Sequence, residues 1–300
     1  MSALSCACNS AARTDPTHSL ILRKKFEAEF KRRYTRVKRT IVDSIVVNDA
    51  FGINRTPDKF SGMVFMQAAQ PGQFSGLTLD EQVAAFDEWF AEELRMEIEE
   101  QADPEKEENS FLWLLILAAF GKGLFRGRAE AARAGYPVTR YTATPLPRQI
   151  MANPGVSERV FYILSRSFED LKGVNVAMRS ELRRILAQAI TEGVDTKTMA
   201  RRITAIIDSI GIRRATLIAR TETIAAHHMA NIAEYRAAGV IGVRLLAEWV
   251  TAGDARVCPK CQELARMDNG MGPGIYTLDM IEFMIPAHPG CRCVALPTSV

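Results

Sequence analysis

Four of the six cysteines, Cys258, Cys261, Cys291 and Cys293, fall within 36 residues near the C-terminal end. The other two, Cys6 and Cys8, are separated from Cys258 by 249 residues. Such clustering points to one local site made in a reducing compartment, with no disulfide framework running across the chain. Cys258-Pro259-Lys260-Cys261 places two thiolates two residues apart, so both can face one ion, and sulfur suits a tetrahedral zinc. After 26 residues the return half, His288-Pro289-Gly290-Cys291-Arg292-Cys293, offers three more ligands. Cys258 and Cys261 form the first pair, and two of His288, Cys291 and Cys293 complete four ligands out of five candidates. Cys291 and Cys293 alternate as strand residues do, whereas His288 and Cys291 have the spacing of a second knuckle. Both pairs stay open, as do a disulfide formed after release from cells and thiols that only pack. The stretch from Glu263 to Ile285, rich in methionine, glycine and aspartate, is expected to bury too little surface to hold two short strands. A structural zinc would supply what is missing, since it contributes about 10 to 16 kcal/mol in small modules. A catalytic zinc would need an open position and a general base, and no motif provides them.

Most of the remaining chain reads as helix. Asp15-Pro16 offers an N-cap and first-turn pair, after which Leu22, Phe26, Phe30, Tyr34, Val37, Ile41 and Ile45 recur every three or four residues. The other face of this long helix carries Arg23, Lys24, Lys25, Lys31, Arg32, Arg33, Arg36, Lys38 and Arg39 against Glu27 and Glu29, an excess of seven positive charges. That face is either solvated or a surface for DNA or an acidic partner. Asn48 to Gly76 lacks periodicity and reads as a loop. A capping box, Thr78 to Glu81, opens a second helix through Val83, Phe86, Phe90, Leu94 and Ile98. From Asp80 to Glu108 thirteen acidic residues stand beside two basic ones, so the first half of the chain holds separate blocks of each sign. A third helix runs from Phe111 to about Ala134, wholly apolar at first, with Gly121, Gly123 and Gly127 where another helix can approach closely.

Four prolines between Tyr136 and Pro154 mark a linker. Helices are then expected over 157–172, 175–192 and 195–210, each ended by glycine, and a last one from Arg213 to Ala238. On that last helix Arg220, Thr223, His227, Asn231 and Glu234 share one face, a polar stripe that needs a polar partner. Val243 to Val250 alternates like a strand, and Cys291 to Leu296 is a second short one that Pro297 should stop. The expected organisation is mainly α: a disordered tail (1–14), a helical domain (15–135), a linker (136–156) and a C-terminal domain (157–300). In the last, helices fill 157–238 and a small α+β module closed by zinc fills 243–297.

With 300 residues, 47% hydrophobic and 24% charged, the chain has the make-up of an ordinary globular folder of about two domains. The net charge of +3 is too small to argue for nucleic acid or membrane binding by itself. The most apolar run, Phe111 to Phe120, is half of the roughly twenty residues that a membrane span needs. Met1 to Arg13 lacks the charge and apolar run of a secretory signal, which leaves Cys6 a poor lipoprotein candidate.

Ile218-Ala219-Arg220-Thr221-Glu222-Thr223, then Glu248-Trp249, Gly253-Asp254 and Val257-Cys258-Pro259-Lys260-Cys261, then Pro286-Ala287-His288-Pro289-Gly290-Cys291-Arg292-Cys293 and Pro297, resemble the phage head morphogenesis family. This is the minor head protein family that includes the F protein of phage Mu. The ordered match spans about Ala200 to Pro297, and the preceding region from Tyr141 is more loosely similar. Pro286 stands where many relatives have two prolines, and the segment after Cys261 departs from the usual pattern, which bears on loop geometry. The resemblance implies a nonenzymatic virion component made in the host cytoplasm and placed inside the capsid near the portal. It also implies a role in assembly and genome packaging or delivery, with the portal protein, the major capsid or scaffolding protein and packaged DNA as partners, and no membrane.

Arg220, Thr221 and Glu222 invite comparison with ADP-ribosyltransferases, but three consecutive helical residues project about 100° apart and cannot converge on one atom. A buried ion-pair role is expected instead, with Arg220 fastening the zinc module to the helix. His227-His228 is expected to pack, since zinc deaminases need His-x-Glu and His228 precedes Met229-Ala230. The competing readings are a DNA-binding zinc module and a nuclease or toxin-like enzyme on the same C-terminal domain.

Overall fold

The computed structural model describes residues 15–53, 70, 72–239 and 245–298, and most of them are helical. The tail 1–14, and residues 54–69 and 71 of the expected loop, lie outside the described residues. Helix α1 (Leu20–Val42) passes into a wider π turn, Asp43–Val47. It begins at Leu20 rather than at Asp15, because the Asp15 carboxylate accepts the Leu20 N–H at 2.9 Å and the Thr17 hydroxyl at 2.7 Å across an intervening turn. Helix α2 (Leu79–Leu94) opens with the expected capping box, Thr78 N–H donating to Glu81 Oε2 at 2.9 Å. Helix α3 (Phe111–Arg133) has nearly the expected bounds.

The proline-rich stretch contains a short helix, α4 (Pro147–Met151), and leads into α5 (Pro154–Glu192), one continuous helix where two were expected. Gly173 does not break it: a lone glycine costs a helix only about 1 kcal/mol, and Leu171, Val174 and Met178 are buried around it. Helix α6 (Thr196–Ile206) is capped by Asp195, which accepts the Thr198 N–H at 2.9 Å. A π segment, Ile207–Ile212, then runs straight into α7 (Arg213–Gly239). Gly211, an expected stop, is instead a close-approach point, where a Cβ would come within 2.9 Å of the Tyr34 ring.

Beyond α7 the elements are short: β1 (Leu246–Val250), α8 (Pro259–Leu264), β2 (Ile275–Thr277), α9 (Leu278–Ile281) and β3 (Val294–Thr298). The strands form an antiparallel sheet in the order β2-β1-β3, with Leu246 opposite both Thr277 and Thr298. Strand β1 covers Leu246–Val250 of the first expected strand, whose start at Val243 lies outside the described residues. The second expected strand starts three residues late and includes Pro297 opposite Ala247. An edge strand tolerates proline because one of its sides has no neighbour to serve. Strand β2 is too short to show a periodicity and was not anticipated.

The described residues form two compact units. One comprises 15–26, 113–166 and 218–298, and the other 27–112 and 167–217. The boundaries fall inside helices, so the whole proline-rich stretch 136–156 lies within the first unit, where Tyr136 is buried. In the second unit Tyr34, Val37 and Ile41 of α1 are buried, as are Phe51, Phe74, Phe86 and Phe90, whose rings touch one another. Tyr34 donates to Asn175 Oδ1 at 2.9 Å and Asn175 donates to Glu99 at 2.9 Å, so the polar groups there are mutually satisfied. Asp87, 3% exposed, is held by Arg179 at 2.7 Å and by Arg183.

The first unit is built on the contact of α3 with α7. A Cβ at Gly123 would come within 2.5 Å of the His227 carbonyl, and one at Gly127 within 2.9 Å of Asn231 Cα. The polar stripe of α7 thereby meets its partners. Glu234 accepts from Arg128 at 2.8 Å and from Tyr141 at 2.8 Å, and Asn231 Nδ2 lies 3.4 Å from His227 Nδ1. The other side of α7 carries the sheet: Ile224, Ile232 and Tyr235 share one apolar cluster with Trp249, Tyr276, Leu278, Ile281 and Ile285. The stretch 263–285 therefore buries more than its composition suggested. Two further links tie it down, His228 Nε2 to the Ile281 carbonyl at 3.0 Å, and Glu282 between Arg159 and Arg236, each at 2.7 Å. No helix among the described residues is long and apolar enough to cross a membrane.

Two expectations can be checked on purified protein. Gly123→Ala should force α3 from α7 and cost about 1 to 3 kcal/mol, whereas Gly173→Ala, with open space around its Cα, should stabilise by about 0.5 to 1 kcal/mol. Thermal melts that move in the same direction for both would contradict this packing. Burial lowers His227 to about 3 and His228 to about 4. Between the unfolded value near 6.5 and about 4 the unfolded chain therefore binds more protons, and stability falls as the pH drops through that window. The slope is up to about 1.4 kcal/mol per pH unit for each imidazole. Urea midpoints at pH 7 and pH 5 should differ less once both residues are glutamine; an unchanged difference would show that neither imidazole is buried neutral.

Candidate metal centre

The Cys-Pro-Lys-Cys segment folds as a helix start. Cys258 is the N-cap of α8, its sulfur accepting the Cys261 N–H at 3.4 Å, and Pro259 takes the first helical position, where a missing N–H costs nothing. Cys261 is thus held one turn away with its sulfur on the same side. The return half is a tight turn in which Cys291 N–H donates to the His288 carbonyl at 3.1 Å. Gly290 has a φ of +77°, which favours glycine there.

These two turns converge. His288 Nε2 lies 3.3 Å from Cys258 Sγ and 3.3 Å from Cys261 Sγ, and Cys261 Sγ lies 3.9 Å from Cys291 Sγ. Cys258, Cys261 and His288 form one triad of ligand atoms within 4.8 Å of each other, and Cys261, Cys291 and Cys293 form another. All five expected candidates are therefore in one place, with Cys261 common to both triads. His288 Nδ1 donates to the Pro289 carbonyl at 3.0 Å, which leaves the Nε2 lone pair facing the sulfurs. Cys261, Cys291 and Cys293 are buried, and Cys258 is half-buried.

The electrostatics of the cluster suit a cation. Burial, and then the neighbouring Cys291, push the Cys261 thiol up to about 12. A hydrogen bond from Cys293 draws Cys291 down to about 5, and the same pairing raises Cys293. Without a metal the buried sulfurs share protons, and a divalent ion can take their place. The donor set, sulfur with one imidazole nitrogen, matches the preferences of a closed zinc-type site.

The surrounding contacts were not read from the sequence. Arg292, between two of the cysteines, grips Asp254 through two bonds of 2.7 and 2.5 Å. That grip holds the Asp254 carboxyl well below the usual carboxylate range. It also joins the turn before Cys258 to the turn that carries Cys291 and Cys293. The only hint in the sequence was the opposite charge of two residues 38 positions apart. The fastening expected of Arg220 is made visibly by its neighbour, since Gly290 N–H donates to Thr221 Oγ1 at 3.0 Å. Arg220 itself is half-buried. Glu222, 2% exposed, pairs with Arg166 at 2.5 Å. Thr221 and Glu222 thus serve separate contacts and do not converge on a substrate position.

The basic face of α1 divides into two kinds of residue. Arg33 is buried against Glu29 and Glu97, Arg36 also binds Glu97, Lys38 reaches Asp208 at 2.6 Å, and Arg32 lies beside Glu29. Part of the positive block therefore neutralises the acidic one inside the second unit. Lys24, Lys25, Lys31 and Arg39 remain exposed.

No curated protein and no solved structure gives a match to the chain. Residues 180–296 do match a family model, described as Phage Mu protein F like protein. The matched stretch takes in the end of α5, all of α6 and α7, the sheet as far as Leu296, and every ligand of the cluster. By this match, and by the ordered motifs within it, the stretch 180–296 of the chain is similar to the Phage Mu protein F like family.

Proposed function

We propose that this chain is a structural minor head protein of a tailed bacteriophage, bound inside the head near the portal and assisting head assembly and genome packaging or delivery. The observation that carries this reading is the family match over 180–296, in which the helix α7 motif, the sheet and both halves of the cluster occur in order. The portal protein and the major capsid or scaffolding protein are the partners that fit such a role, with packaged DNA a further one. The chain would be made in the host cytoplasm and end in the virion.

Within that role the cluster is a structural zinc site. Cys258, Cys261, His288 and Cys291 would hold the ion, and Cys293 would donate a hydrogen bond to the Cys291 sulfur. The ion supplies a cross-link between the turn at 254–261 and the turn at 286–293; it has no reactive duty. A DNA-binding reading retains the four exposed cations of α1, but its other cations are engaged in ion pairs. An enzyme reading draws no support from Thr221 and Glu222, which serve separate structural contacts.

Two measurements test these statements. Metal analysis should find about one zinc per chain, kept in Cys293→Ser, lost in Cys258→Ser/Cys261→Ser, and taken up with release of protons. Hydrogen exchange on the stripped protein should show 254–261 and 286–293 opening while α3 and α7 stay protected; a metal-free protein with full protection throughout would refute the zinc site. Purified phage particles should contain the chain in low copy number, with density inside the head at the portal vertex. Complete, infectious particles that lack it would refute the minor head role.

A further inference from the structure

On the first unit, beside α3, lies a cavity of about 420 Å³ that the head-protein reading and the metal cluster do not use. Its wall is a helical stripe: Lys122, Arg126 and Arg133 follow at offsets of four and seven residues and so share one face. One carboxylate of the lining, Glu130, answers these three cations, shared between Arg126 at 3.2 Å and Arg133 at 2.7 Å, and Asp15, outside the lining, also acts on Arg126. The lining keeps an excess of two positive charges. Lys122 is exposed. The Arg126 side chain is only 19% exposed, and its Nε is buried with no hydrogen-bond partner among the described residues. His227 at the cavity's inner wall is neutral and contributes no charge of its own.

Two further features narrow the class of anion. The volume exceeds what a lone phosphate or carboxylate fills and lies in the range of sites for larger ligands, about 300 to 1,000 Å³. Phe125 stands in the same lining, 37% exposed, giving an aromatic surface next to the cations. Cations that follow a line, with an aromatic ring among them, suit a chain of phosphates with unpaired bases that can stack. An acidic peptide would use the cations and leave the ring without a role. Guanidinium groups in addition match phosphate oxygens with two parallel donors.

We propose that this groove binds a short segment of single-stranded nucleic acid, its phosphates on Lys122, Arg126 and Arg133 and a base against Phe125. The inference is independent of the metal cluster and of the head-protein role, and it names a site distinct from the exposed cations of α1.

Fluorescence anisotropy on the full-length chain tests it, with labelled dT12, the matching 12-base-pair duplex and a polyglutamate peptide as probes. The unaltered protein should prefer dT12. Lys122→Ala/Arg133→Ala should weaken dT12 binding at least about tenfold and reduce the salt slope by about 1.4, since each lost phosphate contact on a single strand removes about 0.7. Phe125→Ala should weaken it at least about fivefold with the salt slope unchanged, because stacking releases no counterions. The Lys31→Ala/Arg39→Ala protein should bind as the parent does. Lys122 and Arg133 are both exposed, and either single variant, with half the change in slope, replaces the double one if its melting temperature falls. Absence of dT12 binding, equal or tighter binding of the duplex or of polyglutamate, or loss confined to the α1 variant would each overturn the proposal.

Discussion

The close contact of α3 with α7 is the constraint on which the first unit rests. Two glycines one turn apart on α3, Gly123 and Gly127, let the backbones meet where any side chain would hold them apart. The contact requires that the facing residues of α7 be buried although several are polar. Thr223, His227, Asn231 and Glu234 are each under 7% exposed, and each needs a partner within that narrow seam. Arg128 and Tyr141 supply it for Glu234, and Thr223 donates to its own helix at the Ala219 carbonyl, 2.7 Å away. A seam of this kind tolerates little sliding, because a shift by one residue would strand every polar group at once.

From that seam the C-terminal module takes its position. Helix α7 is covered on both sides, by α3 on one and by the sheet and the 278–285 segment on the other. The module is therefore attached at several independent points, the apolar cluster around Tyr235 and Trp249, the His228 bond, the Glu282 pair and the Thr221 bond. The Cys/His cluster brings together the turns at 254–261 and 286–293, and the second of these also carries the Thr221 bond. An ion bound there, as proposed above, would add a cross-link between two turns already joined by the Arg292–Asp254 pair, while the hydrophobic area of the sheet is already held against the helix.

Much of this was legible in the sequence where a repeating pattern met a physical need. The period of Phe26, Phe30, Tyr34 and Val37 announced α1, the Thr78 to Glu81 box announced α2, and the spacing of cysteines announced the cluster. The glycines of α3 and the polar stripe of α7 were each visible, although nothing in the sequence paired them, since helix contacts between distant segments leave no local signature. Glycine and proline were the misleading signals. Gly173 and Gly211 stay helical and Pro297 stays in a strand, because burial of their neighbours, or an edge position, outweighs local propensity. The composition of 263–285 was misleading for a related reason: Tyr276, Leu278, Ile281 and Ile285 are few but all point one way.

The place of β3 has a mechanical meaning. It is an edge strand, it ends the described chain, and it pairs with β1 so that Thr298 lies opposite Leu246 and Val294 opposite Val250. A pull on β3 from Thr298 would meet these pairs one at a time, like a zip, as far as Ala295, whose carbonyl also accepts from the Tyr235 hydroxyl at 3.2 Å. Directly behind the last pair stand Cys293 and Cys291, tied through Arg292 to Asp254 and through Gly290 to Thr221. Peeling would stop there, at a point where several bonds must break together. The module thus has a soft end and a hard catch in series, and the catch passes tension on the edge strand to α7 through Tyr235 and Thr221.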